Sequence, residues 1–315
     1  MNTIRWGIVG TGRIANKFAK AIKQSEFCSL NAVASRSKES ASQFAQQYQI
    51  PHWYENYTDL ALSNQVDAVY ISTPQGVHME NSILFLKNHV AVLCEKAVTT
   101  NEAEMLKIMR VARENNTFFM EAMWTRFLPA NIALCRMLSE GVIGNVRSIY
   151  VPFGIPGGAR RLFDPVLGGG ALLGLTCYSI AFSSMIFGNY PKHVFSVANK
   201  GEVDVEETSI LTYEGGKTAQ LYNAINLSIH DTAIVYGEKG YITVPKFWSA
   251  QSFCIHLHDQ AETPYDFPYL GEGFEHEINE VVHCLLNNKK ESDTMPLETS
   301  RACMEISDRI RRCWQ

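Results

Sequence analysis

Apolar and polar positions alternate with two periods over the first 120 or so residues. Short apolar runs at Ile4–Val9, Ser29–Ser35, Val66–Ile71, Ala91–Cys94 and Phe118–Met120 read as strands. Helical stretches fall between them, clearest where Ala41, Phe44, Ala45 and Tyr48 recur at i, i+3, i+4 and i+7. Alternating strands and helices predict an α/β domain with a parallel, doubly wound sheet. The pattern changes near Met123. A helix over Leu128–Glu140 and a strand over Val146–Phe153 lead into a Gly/Pro-rich loop and an apolar helix opening at Gly168-Gly169-Gly170. Strands then follow without helices at Val194–Ala198, Val205–Tyr213, Lys217–Leu227, Thr232–Tyr236 and Tyr241–Val244. Glu214-Gly215-Gly216 and Gly237-Glu238-Lys239-Gly240 read as hairpin turns, so this second, α+β domain should hold a mainly antiparallel open sheet. Two helices close the chain, Phe274–Leu286, with Ile278, Val281, Val282 and Leu285 on one face, and Glu298–Cys313. The expected division is 1–122 and 123–315, with the closing helices able to pack back on the first domain.

The first strand runs into Gly10-Thr11-Gly12-Arg13-Ile14-Ala15. Gly10 permits a tight turn, Gly12 allows backbone N–H groups close to a phosphate, and Ala15 lets the helix pack on the sheet. A helix N-terminus there offers free donors and partial positive charge. The segment therefore predicts a Rossmann dinucleotide site. The second strand ends in Ala34-Ser35-Arg36-Ser37, where an acid would bind the ribose 2′-OH of NAD and an arginine the 2′-phosphate of NADP. Arg36, with Ser35 beside it, points to NADP, with NAD possible; the alternative is a solvated arginine. Two later strands end in Thr73-Pro74-Gln75-Gly76-Val77-His78 and Cys94-Glu95-Lys96-Ala97. These loops should face the nicotinamide, because ligands sit at strand carboxyl ends in such sheets. His78 reads as the start of a helix rather than a catalyst, and Glu95-Lys96 taken alone reads rather as a pair at a helix entrance.

At 315 residues and 46% apolar content the chain supports two cores. A net charge of −4 gives no basic field for nucleic acid. No uninterrupted apolar stretch of about 18 residues is evident, so no membrane span is expected. The strand pattern begins at Ile4 without a leader-like segment, and a cytoplasmic location is the expectation. Eight scattered cysteines, mostly in apolar runs, read as small buried hydrophobes in a reducing compartment. His256 and His258 stand two apart with no third ligand suggested nearby, so no metal is expected.

Gly10-x-Gly12-x-x-Ala15, Thr73-Pro74 with His78, Glu95-Lys96 and Gly168-Gly169-Gly170-Ala171-Leu172 together resemble the Gfo/Idh/MocA oxidoreductase family over essentially the whole chain. Met120–Phe127, Arg161–Pro165, Gly240–Ile242, Pro245–Trp248 and Gly273–Glu277 are similar to its branch of dimeric dihydrodiol dehydrogenases and NADP-dependent D-xylose 1-dehydrogenases. The resemblance implies oxidation of a sugar, polyol or trans-dihydrodiol carbinol, a small-molecule substrate, and a homodimer formed through the free sheet face. Lys96 matches the lysine of the family's Glu-Lys-Pro motif, with Ala97 in place of proline. Tyr178 stands where the glycine-led helix presents its catalytic His or Tyr; by itself it is an aromatic in an apolar helix. A nearby cation can lower a tyrosine pKa by 1–3 units, so Lys96 would help Tyr178 act as base. The resemblance also places Trp124, Arg126, Phe127, Phe153, Arg161 and Phe274 at the substrate pocket. Each aromatic equally suits core packing, and the arginines suit loop or interdomain salt bridges. The family helix usually reads Gly-Gly-Gly-x-Leu-x-Asp-x-Gly-x-His/Tyr, whereas this chain has Gly174 and Thr176. The lost carboxylate and an expected crowding at Thr176 leave a rival reading open, a non-catalytic nucleotide-binding regulator.

Overall fold

A computed structural model describes residues 3–157, 159–269 and 271–314. The chain forms two compact units. The first runs up to Trp124 and is rejoined by residues 271–301; the second holds Thr125–Tyr269 and the residues from Ala302 onward. The crossing thus falls two residues past the expected break.

The first unit contains β1 (Ile4–Val9), α1 (Arg13–Ala21), β2 (Cys28–Ala34), α2 (Lys38–Tyr48), β3 (His52–Tyr54), α3 (Tyr57–Leu62), β4 (Ala68–Ile71), α4 (His78–Lys87), β5 (Ala91–Glu95), α5 (Glu102–Glu114) and β6 (Phe119–Ala122). The sheet order is β3-β2-β1-β4-β5-β6, parallel throughout. Chain order reverses at β1, so β1 and β4 flank the switch point where such sheets bind ligands. Strands β4, β5 and β6 are buried along their whole length, as strands covered on both faces must be. Residues 271–301 add α8 (Glu275–Leu286) and open α9 (Leu297–Arg312). They are tied in by Phe119 N–H to Lys290 O at 3.3 Å and by Arg301 to Glu102. The short strand β3 and the exact end of β6 were not expected from the pattern.

The second unit contains α6 (Pro129–Ser139), β7 (Val146–Gly154), α7 (Cys177–Phe187), β8 (His193–Lys200), β9 (Asp204–Thr212), β10 (Thr218–Ala224), β11 (Thr232–Gly237), β12 (Gly240–Pro245), β13 (Ser252–Leu257) and β14 (Thr263–Asp266). Its sheet runs β14-β13-β12-β11-β7-β10-β9-β8 and is antiparallel except for the parallel pair β7 and β10. Ala219 and Leu221 lie on its covered face. Ile225 and Leu227, expected to continue that stripe, fall beyond the end of β10. The helical run Pro165–Phe187 is, by length and composition, apolar enough to cross a membrane, which corrects the expectation of no such stretch. Its most apolar 18-residue window is instead 78% buried inside the protein. Cys94, Cys177, Cys284 and Cys303 are buried as expected, but Cys28, Cys135 and Cys254 are half-buried and Cys313 is exposed; none of the eight is disulfide-bonded.

Candidate active site

The first unit carries the nucleotide motif. Gly10 sits at φ +97°, a conformation an L side chain rarely takes, and a Cβ there would approach Ser72 Oγ to 3.1 Å. Gly12 is the N-cap of α1, with no side-chain hydrogen bond at the cap and no acidic residue in the first turn. A Cβ at Gly12 would meet only open space. Thr11, Arg13 and Ile14 complete this turn at the surface, and Ala15 is fully buried against the sheet. The result is an uncapped helix N-terminus facing a gap, which fits a pyrophosphate. Arg36 is exposed just beyond the end of β2, beside the Tyr57 side chain. Of the serines beside it, Ser35 is buried, whereas Ser37 caps α2, accepting from Ser40 N–H at 3.3 Å and donating to Glu39 at 2.8 Å.

The loops after β4 and β5 are held together by buried polar groups. His78 opens α4, and its ring nitrogens bond Ala97 O at 2.9 Å and Thr73 O at 2.7 Å. Thr73 Oγ1 accepts from Asn81 at 3.0 Å, and Pro74 starts the short turn that leads to α4. Glu95 is turned into the core, where it accepts from the Tyr70 hydroxyl and, at 3.2 Å, from Lys96 N–H. Phe18 stacks on that tyrosine at 3.8 Å. Lys96 itself is half-buried, and the Lys96–Ala97 peptide bond is cis. Glu121, a residue the sequence reading gave no role, receives Val98 N–H at 3.1 Å and so anchors the loop beyond Lys96. Burial, then Glu95 and Glu275, push the Glu277 carboxyl well above the usual range. Trp124 stacks on Phe274 at 5.0 Å within this unit.

The second unit gathers the remaining aromatics around Tyr178. Phe153 lies edge-on to Tyr178 at 5.9 Å and stacks on Trp248 at 5.1 Å, and Trp248 lies 6.3 Å from the Tyr178 ring. Trp248 and Phe247 were read only as part of a resemblance; the structure makes them members of the cluster. Phe127 is buried. Arg126 donates to Ser184 at 2.9 Å inside the unit, and Arg161 is exposed on a short turn. The two arginines therefore occupy different surroundings.

Thr176 does not crowd its site, contrary to expectation. Its hydroxyl donates to Glu207 at 2.7 Å, while a Cβ at Gly174 would come within 2.8 Å of Leu162. Among the described residues one trio of metal-ligating types comes together, Cys254, His256 and Glu262, with ligand atoms within 4.8 Å of one another. Glu262, not His258, is thus the neighbour of His256. The imidazole is engaged on both sides, by Glu262 at 3.1 Å and Thr243 at 3.1 Å. A cavity of about 600 Å³ beside Cys135, Phe187, Lys217 and Glu238 contains none of the candidate residues.

Residues 4–123 match the oxidoreductase family with an NAD-binding Rossmann fold, and residues 132–243 match the Gfo/Idh/MocA C-terminal domain. The chain belongs to the Gfo/Idh/MocA oxidoreductase family. It is 35% identical to a trans-1,2-dihydrobenzene-1,2-diol dehydrogenase from Xenopus laevis over 319 residues, covering 96% of each chain. The human enzyme of the same name is 33% identical over 326 residues, covering 98% of this chain and 96% of the other. Among solved structures, a 3-ketoreductase from Actinomadura kijaniata in complex with NADP and TDP-benzene has a TM-score of 0.92 at 26% identity. That match covers 100% of this chain and 98% of the other. A Gfo/Idh/MocA chain with these relatives is an NAD(P)-binding dehydrogenase, and the regulator reading falls away.

Proposed function

We propose that this family member is an NADP-preferring dehydrogenase or reductase acting on the carbinol carbon of a sugar, polyol or trans-dihydrodiol. The observation that carries the reading is near-full-length relatedness to trans-dihydrodiol dehydrogenases in a chain that keeps both Lys96 and Tyr178. Gly10, Gly12 and the start of α1 would hold the pyrophosphate, and the Arg36 guanidinium would take the 2′-phosphate. When bound, the nicotinamide supplies the hydride acceptor or donor. Tyr178 removes the substrate hydroxyl proton, and the Lys96 ammonium favours its phenolate and hydrogen-bonds the reacting oxygen. His78, Glu95 and Glu121 fix the loops on either side of Lys96, so its side chain is presented from a rigid base. The Phe153 and Trp248 rings beside Tyr178 offer a face to a ring-shaped substrate.

The test is nicotinamide absorbance with NADP⁺ and with NAD⁺ across cyclic trans-diols, aldoses and inositols. Turnover should prefer NADP⁺, and Tyr178→Phe should lower kcat by about 10²–10⁴-fold while still binding NADP. Arg36→Ala should erase the preference for NADP⁺. Full turnover by Tyr178→Phe, or an NADP⁺ preference untouched by Arg36→Ala, would overturn the corresponding part of the reading.

A further inference from the structure

The segment before Tyr178 is not an ordinary helix. Leu172–Thr176 forms a π turn that passes directly into α7. Such widened turns are uncommon, frequently mark functional sites, and persist where side chains hold them. Two acids on β9 do so here. Asp204 accepts from Leu172 N–H at 2.6 Å. It reaches the chain because residue 170 is glycine, at φ +110°, where a Cβ would collide with the Asp204 carboxylate.

Glu207 is the second. Its Oε1 accepts from Thr176 Oγ1 at 2.7 Å and from Asn223 Nδ2 at 2.8 Å, and its Oε2 accepts from the Ser209 hydroxyl. Asn223 Oδ1 in turn accepts from Ser179 Oγ at 2.9 Å. The carboxylate thus grips the helix directly at residue 176 and, through Asn223, at residue 179, the two positions that bracket Tyr178. All five side chains are buried, so water does not compete for these bonds and the network is stiff. The helix itself carries no carboxylate at Gly174, where Leu162 fills the space instead.

We propose that Glu207, acting through Thr176 and Asn223, is the positioning residue for Tyr178. The inference rests on Tyr178 being the base. Displacing a reacting group by 1 Å can reduce rate by about 10²-fold, so loosening this grip should appear in kcat rather than in cofactor affinity.

The experiment compares Thr176→Val, which removes the hydroxyl at constant shape, with Thr176→Ser, which restores it, each alone and combined with Tyr178→Phe. Thr176→Val should lower kcat by about tenfold or more with NADP affinity unchanged, and Thr176→Ser should recover most of the loss. In the Tyr178→Phe background Thr176→Val should change the residual rate little, because the residue it positions is gone. Should Thr176→Val fail to fold, Ser179→Ala, which removes the contact on the other side of Tyr178, carries the same comparison. Wild-type kcat in Thr176→Val while Tyr178→Phe collapses would overturn the positioning role alone. An equal loss in both backgrounds would also overturn it. Wild-type turnover in Tyr178→Phe would instead remove the base assignment beneath it.

Discussion

Glu207 also dictates how stability depends on pH. Burial pushes its carboxyl up to about 7, and Asp204 adds to the rise. Hydrogen bonds from Ser209, Thr176 and Asn223 oppose it. An ordinary glutamate in the unfolded chain, near 4.5, releases its proton first. Stability contributed by this group is therefore fully present below about 4.5 and declines as pH rises toward 7, by roughly 3 kcal/mol over the window. Glu207→Gln keeps an acceptor for Thr176 and Asn223 but cannot ionise. In urea denaturation at matched pH between 5 and 8, wild type should lose stability relative to Glu207→Gln up to about 7 and run parallel to it above. A constant difference across the range would mean that Glu207 does not change its proton affinity on folding.

At the level of elements, the decisive device in the first unit is the first residue of α4. One buried imidazole spans the loops after β4 and β5. His78→Leu should destabilise the protein by about 1–3 kcal/mol, because it removes the ring N–H from the carbonyl it pairs and the contact that ties the two loops. Its KM for NADP should rise as the loops separate, and thermal denaturation with cofactor titration checks both. The strand pattern and glycine turn around this device were legible in the sequence because they are local, but the staple joins residues 73, 78 and 97 and was not. The same limit hid the parallel pairing of β7 with β10, whereas the hairpins at Glu214–Gly216 and Gly237–Gly240 announced themselves by their turns. Strand β3 is too short to show a period, and β13 is not read as a strand, its His256 being noticed only for standing two residues from His258. Glu207 did leave a signal. It shares the inward register of β9 with Ser209 and Leu211, a place where a carboxylate requires partners.

On the scale of the whole molecule, the second sheet presents two unlike faces. One is filled by Ile149, Val151, Leu211, Ala219, Leu221, Val235 and Ile242, all buried. On the other, the register carries a row from Phe195 through Ile210, Gln220, Tyr150, Ile234 and Thr243 to Cys254. Phe195 is 59% and Val197 71% exposed, with Ile210, Tyr236 and Tyr241 also open to solvent. Large apolar side chains concentrated on one flat face mark an association surface, and a sheet face meeting its own copy about a twofold axis is self-complementary. We expect a homodimer formed through this face. Sedimentation equilibrium at micromolar concentration should give a dimer for wild type. It should give a monomer for Phe195→Glu/Val197→Glu, because a twofold contact brings each new carboxylate near its own copy or into apolar surroundings. Since both positions lie on the face away from the Glu207 network and Tyr178, the separated chains should keep the wild-type far-UV spectrum. A wild-type monomer, or a dimer that survives both charges, would place the association surface elsewhere.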